Sequence, residues 1–388
     1  MRKSSIIALI VFLLMPFMVI AMQYNQSLNP GDSIVVSGVG DGTLTVVQNG
    51  NSATLSFAAN PTPTPTPSGT ADGIWMSRAE VQALPMTGTA WDNVKSKALG
   101  SWGSANLKDL NSTHDVLTLA GALYYARTND SAMRTKVANA IMSSIGTEVG
   151  GRALEPSRNI VSYVIAADLI DLQSYDSAKN TQFRNFISAL RTEVLDGRTI
   201  ISTHNERPNN WGTHAGAARV AIDRYLGGTA DLALAANVFK GWLGDRNAYA
   251  GFSYGDLAWQ YDPTHPVGIN PKGATKNGNN IDGVLPDDQR RGCGYQWPPC
   301  KENYTWEALQ GATVQAQLLA RAGYDVWNWS DKALYRAVNW LYNVNAYPPS
   351  GDDVFIPWII NKAYGTTFKT VTPTAIGKNM SYTDWTHR

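Results

Sequence analysis

The chain has 388 residues, with 32 Lys+Arg against 31 Asp+Glu, five His, two Cys, 13 Trp and 17 Tyr. A net charge of +1 excludes a dedicated nucleic-acid binder, which needs a basic surplus to neutralise phosphates. Two cysteines exclude a disulfide framework or a Cys-rich zinc or iron–sulfur architecture. A charged fraction of only 16%, beside abundant Trp, Tyr and Gly, suits a surface that meets uncharged or sugar-like ligands.

Residues 1–21 read as a signal peptide: Arg2 and Lys3, an apolar run from Ile6 to Ala21, and small-residue Val19-Ile20-Ala21 at its end. The run is short against the roughly 20 residues of a spanning helix, and it contains Pro16. A secreted or periplasmic protein is therefore expected, with no stable membrane insertion; a retained N-terminal anchor is the alternative. Within 22–60, alternating stretches at 33–36, 43–47 and 53–57 are punctuated by Gly40-Asp41-Gly42 and Asn49-Gly50-Asn51. They predict a small β-module of about three short strands. Residues 61–71 open with alternating Pro and Thr from Pro61 to Pro67, an extended linker that marks a boundary.

From Ile74 onward the apolar period becomes 3.6, so 72–388 reads as one helical domain. Ser77-Arg78-Ala79-Glu80 is a capping box, and Val116, Leu119, Ala120 and Leu123 mark one face of a later helix. Further helices are predicted near 131–146, 157–172, 177–195, 209–226, 230–243, 303–322, 331–345 and 355–364. Short turns between them predict antiparallel helix hairpins. Arranged in a ring, these give an all-α protein, an α/α toroid or incomplete helical barrel whose long loops surround a cleft. An open solenoid is the alternative, but no fixed period supports it. Residues 244–302 are rich in Gly, Pro and Asn and show no sustained period; so long an irregular run in a compact domain is either functional or misassigned.

Two regions concentrate polar and aromatic side chains. The first is His204 to His214, where Asn209 and Asn210 precede Trp211. Asn210 and His214, four apart, share one helical face. The bland alternative makes Asn209 a helix cap and His214 a core histidine. The second runs Asp282-Gly283-Val284-Leu285-Pro286-Asp287-Asp288-Gln289-Arg290-Arg291, through Cys293-Gly294-Tyr295-Gln296-Trp297-Pro298-Pro299-Cys300, to Tyr304 and Trp306 at a helix start. A tyrosine ionises near pH 10 in water and becomes a useful base only where positive charge favours the phenolate, which an Arg can supply. The alternative is a hydrogen-bonded core Tyr with Arg290 and Arg291 paired to Asp287 and Asp288. Cys293 and Cys300 could close a local disulfide in an oxidising compartment; two free thiols are the other possibility.

Taken together, Asn209-Asn210-Trp211, Asp282-Gly283-Val284-Leu285-Pro286 followed by Arg290-Arg291 and Tyr304, and Ala320-Arg321-Ala322-Gly323-Tyr324-Asp325-Val326-Trp327 resemble the alginate lyase superfamily of polysaccharide lyases. The resemblance covers about 205–226 and 281–328, is diffuse over 74–200 and is absent before 72. Two departures matter: Trp211 stands where better-known members have His, and the Arg-to-Tyr spacing is longer by the Cys loop. The missing His would then come from His214 or from His265 in Tyr261-Asp262-Pro263-Thr264-His265-Pro266.

What the resemblance implies is a monomeric, cofactor-free and metal-free lyase cutting an acidic polyuronate (alginate or glucuronan) by β-elimination. Asn210, with a His or Arg, would neutralise the C5 carboxylate. Tyr304 would serve as acid and base, or as acid alone if His214 or His265 is the base. Arg290 or Arg291 would assist the Tyr. Asn209, Trp211, Tyr295, Trp297 and Trp306 would contact substrate. Two rivals stand beside this reading. A toroidal glycoside hydrolase would draw two carboxylates from Asp115, Asp287, Asp288, Glu302 and Glu307. A non-catalytic polysaccharide-binding protein would only stack sugars on Trp211, Trp259, Trp297 and Trp306.

Overall fold

The computed structural model describes residues 73–372 and 376–388, and the backbone of three strands between 33 and 59. The expected signal peptide and linker lie outside the described residues. The chain divides into two compact units, residues 1–64 and 65–388. In the first, β1 (Ser33–Val39), β2 (Gly42–Asn49) and β3 (Ser52–Ala59) form an antiparallel sheet in sequence order, with Val46 opposite both Ile34 and Leu55. The strands fall where the alternation lies.

Among the described residues, the second unit is all-α apart from one hairpin of two-residue strands. Its helices begin with α1 (Arg78–Ala83), α2 (Thr89–Leu99), α3 (His114–Thr128), α4 (Ser131–Ser144), α5 (Leu154–Leu169) and α6 (Leu172–Tyr175). They continue with α7 (Ser177–Leu190), α8 (Ile200–Glu206), α9 (Asn210–Leu226) and α10 (Thr229–Trp242). After the hairpin β4 (Thr275–Lys276) and β5 (Asn279–Asn280) come α11 (Pro286–Gln289), α12 (Tyr304–Arg321), α13 (Trp329–Asn339), α14 (Ile356–Tyr364) and α15 (Thr383–Thr386). Local chemistry sets the starts. Ser77 Oγ accepts from Glu80 N at 3.1 Å while Glu80 Oε2 accepts from Ser77 N at 2.6 Å, the reciprocal capping box. Asp130, Asp176 and Asn209 cap α4, α7 and α9 through their side chains. Helices α2 and α8 were not expected; each is short, and tertiary packing rather than a strong periodic pattern supports it.

Helices α3, α5, α9 and α12 form an inner row in which each packs on the next, while α2, α4, α7, α10 and α14 pack against that row. Burial follows the layering: every residue of α5 except Asp168 is buried, and α9 is buried continuously from Gly212 to Arg224. A helix surrounded on all sides must carry apolar or fully paired residues all round, and its neighbours can approach closely only where side chains are small. At the α9–α12 crossing Gly311 lies so close that a Cβ there would sit 2.4 Å from the Thr213 carbonyl carbon. Trp75, Trp259, Trp306 and Trp340 are all fully buried, so much of the Trp content is core.

The irregular 244–302 stretch is held by buried amides instead of regular structure. Gln260 Nε2 donates to Val267 O at 2.9 Å and Val267 N returns a bond to Gln260 Oε1 at 3.0 Å. Asn270 Nδ2 donates to Trp259 O at 2.9 Å, and Arg336 Nη1 reaches both Asn270 O and Asp282 Oδ1, at 2.7 and 2.6 Å. Among the described residues no helix is long and apolar enough to cross a membrane.

Candidate active site

The start of α9 is built by residues far along the chain. Asn209 accepts from Trp211 N at 3.2 Å as the cap, and its Nδ2 donates to Asp287 Oδ2 at 3.0 Å. Asn210 N donates to Asp288 Oδ1 at 3.0 Å. Asp287 Oδ1 also accepts from Gly255 N and from Arg290 Nε, at 3.1 and 2.8 Å. Asp287 and Asp288 thus clamp the helix mouth, and Arg290 belongs to that clamp. Burial pushes the Asp288 carboxyl well above its ordinary range.

Arg291 points the other way. Its Nη1 donates to Asn210 Oδ1 at 3.0 Å, and its guanidinium lies 3.2 Å from the centroid of the Tyr304 ring. No carboxylate lies within ion-pair distance of Arg291 among the described residues. Tyr304, the first residue of α12, is 39% exposed, and its backbone N–H donates to Glu302 Oε1 at 2.9 Å. Its hydroxyl and Asn210 Nδ2 have no protein partner among the described residues. Between Arg291 and Tyr304 the loop is closed by a Cys293–Cys300 disulfide. It is fastened by Trp259 Nε1 to Cys293 O at 3.0 Å and Gln289 Nε2 to Cys300 O at 2.8 Å.

Below this cluster runs a charged network along the inner helices. Glu307, one turn after Tyr304, lies 3.3 Å from Arg158 Nη2 and 3.9 Å from His214 Nε2. Arg158 also pairs with Asp352 at 3.1 Å and donates to Gln310 Oε1 at 3.3 Å. Asn379 Nδ2 stands 3.0 Å from His214 Nδ1. Burial pushes His214 below its ordinary value, so the ring is neutral near pH 7. Burial raises Glu307, but His214 and Arg158 more than offset it and the carboxyl stays below its usual range.

The expected site residues therefore separate. Asn210, Arg291 and Tyr304 are brought together. His214 is fully buried and meets Glu307, not solvent. His265 is exposed, and its contacts are Asp262 at 2.8 Å and Thr264 at 2.9 Å; nothing joins it to the cluster. Of the five histidines only His265 is exposed. Trp306 is fully buried and donates to Tyr347 O at 3.1 Å, which removes it from any sugar contact. Trp259 is likewise buried. Tyr295 donates to Lys276 O at 2.5 Å and packs edge-on against Trp259, a structural placement. Asn209 serves as cap and clamp. Trp297 is 41% exposed, and Trp211 lies half-buried at the rim beside Arg152 and Arg207.

Sequence reasoning missed Arg158, Asp352, Asn379 and Arg207. Arg158 did leave a signal: an Arg in an otherwise apolar helix must be paired when buried. Four of the five carboxylates proposed for hydrolysis are otherwise engaged: Asp287 and Asp288 in the clamp, Asp115 buried 3.6 Å from Lys378, and Glu307 with Arg158; among the described residues the Glu302 carboxylate accepts only the Tyr304 backbone N–H. No protein-family model matches the chain, and no curated protein matches it in sequence.

Proposed function

We propose that this protein is a secreted or periplasmic polysaccharide lyase, alginate lyase-like, that cleaves an acidic polyuronate such as alginate or glucuronan by β-elimination. Its two-layer helical unit is read as an incomplete α/α toroid, with the site at one mouth. The reading rests on one observation above all. A guanidinium with no carboxylate partner bridges the Asn210 amide and the ring of a solvent-facing tyrosine.

Elimination needs three things: relief of the carboxylate's negative charge, a base for the C5 proton, and an acid for the departing oxygen. Asn210 Nδ2, left free because Oδ1 is occupied by Arg291, donates to the C5 carboxylate. Arg291 shares its charge as the enediolate-like transition state develops. Tyr304, as phenolate, removes the C5 proton; the C4–O4 bond breaks as the C4=C5 double bond forms. The same hydroxyl then returns the proton to O4. One tyrosine performs both transfers only when C5–H and O4 share a sugar face, so the substrate linkage is one that permits syn elimination. Electrons balance without oxidant, and no water enters the product.

The experiment is to incubate the protein with polymannuronate, polyguluronate, glucuronan and hyaluronan, following ultraviolet absorbance of the C4=C5 double bond. One polymer should give absorbing products, and Tyr304→Phe should lower that rate about a thousandfold while retaining binding. New reducing ends without absorbance would indicate a hydrolase instead.

A further inference from the structure

At the rim of the cluster, Trp211 has two guanidiniums near its ring, Arg152 at 5.3 Å and Arg207 at 5.5 Å from the centroid. We propose that Arg207, supported by Arg152 and the Trp211 indole, forms a second carboxylate-binding position beside Asn210, Arg291 and Tyr304. It would hold the carboxylate of a neighbouring uronate in the same polysaccharide chain. This rests on the lyase reading above.

Arg207 is half-buried, yet no carboxylate lies within ion-pair distance of it among the described residues, and its Nε is buried without a hydrogen-bond partner. The nearest acids are already committed. Glu206 is paired with Arg198 at 2.7 Å, and Asp287 serves Arg290, Gly255 and Asn209. Burial, together with the charges of Arg198 and Arg291, pushes the Arg207 guanidinium below its usual value even with Asp287 and Glu206 opposing. A guanidinium remains charged in proteins, so a partly desolvated one without a partner is costly until an anion arrives.

Its position is held from both sides. A Cβ on Gly212 would meet the Arg207 carbonyl oxygen at 1.8 Å, so only glycine lets this backbone press against the first turn of α9. The indole face then carries the guanidinium without neutralising it. Arg152 contributes less charge, because Glu155 already accepts from its Nε at 2.7 Å; its side chain is 47% exposed. A polyuronate bears one carboxylate on every sugar, so a cleft that grips more than one residue needs a cation beyond the one at the reacting carboxylate.

The test measures binding without turnover, by calorimetry on the full chain carrying Tyr304→Phe, with the polyuronate cleaved best by the unaltered protein and with neutral dextran as control. Adding Arg207→Gln should raise the Kd about tenfold, and Arg207→Lys should recover part of the loss. Equal affinity with and without Arg207→Gln overturns this inference while leaving the lyase reading intact. Binding dextran as tightly as the polyuronate overturns it too. If the unaltered protein neither binds nor cleaves any of the four acidic polymers, the lyase reading itself fails. Should thermal melting show that Arg207→Gln does not fold, Arg152→Gln decides: a weakening of about threefold supports the position, and unchanged affinity overturns it.

Discussion

Arg291 is held by two contacts of different kinds, a hydrogen bond to the Asn210 amide oxygen and a face-on approach to the Tyr304 ring. Both need a planar, delocalised cation. A lysine ammonium is a compact point charge and cannot donate to Asn210 while lying flat over the ring. Arg291→Lys should therefore lower kcat about a hundredfold and change KM far less, read from initial rates on the preferred polymer. A variant with unaltered kcat would remove Arg291 from transition-state stabilisation. The residue types of the site were legible: an Asn pair, an Arg pair and a Tyr in that order. Which member of each pair gathers at Tyr304 was not. That choice comes from Asp287, which takes both the Asn209 amide and Arg290, while Asp288 holds only the Asn210 backbone N–H, so the Asn210 side chain and Arg291 are left for the site.

At the scale of elements, the site depends on how α9 meets α12 and on the loop leading into α12. Gly311→Ala would place a methyl group 2.4 Å from the Thr213 carbonyl carbon, and backbone atoms cannot swing aside as a long side chain can. A loss of about 1–3 kcal/mol is expected from overpacking, measured by urea denaturation; no loss would mean the helices lie farther apart than described. The Cys293–Cys300 bridge closes the loop that carries Arg291 at one end and Tyr304 at the other. Replacing both cysteines by serine should cost about 2 kcal/mol of stability. Turnover should fall as well, because the guanidinium and the phenol are then joined by a looser segment. Full activity in the double-serine variant would show that Trp259 and Gln289 suffice to hold the loop. Most of the longer helices fall where the 3.6 period placed them, while α2 and α8 left too weak a pattern to be read. The order within 244–302 was hidden because buried amides leave no periodic trace.

Across the whole helical unit, its two ends meet. His387 stacks on Trp75 at 5.9 Å, and Trp385 packs on Trp91 at 5.1 Å and donates to Pro85 O at 2.8 Å. Burial, helped by Lys362, pushes His387 down to about 3. Below pH 6.5 the unfolded chain therefore takes a proton that the folded chain refuses, so stability present above that pH is lost on acidification. His387→Phe should remove up to about 1.4 kcal/mol per pH unit from the slope of unfolding free energy between pH 6.5 and 4. Identical slopes would place His387 in contact with water. A near-zero net charge argues against a nucleic-acid partner yet is compatible with a polyanion, since Arg207 and Arg291, with no carboxylate within ion-pair distance among the described residues, set a local field. Composition and periodicity by themselves determined that the described residues from 73 onward are mostly helical, because burying a helix face requires a repeating apolar pattern. Only the tertiary structure decided that His214 and Trp306 are interior and that Arg291 rather than Arg290 meets Tyr304. Burial and ion pairing depend on partners distant along the chain, and a linear pattern carries no record of which partner is taken.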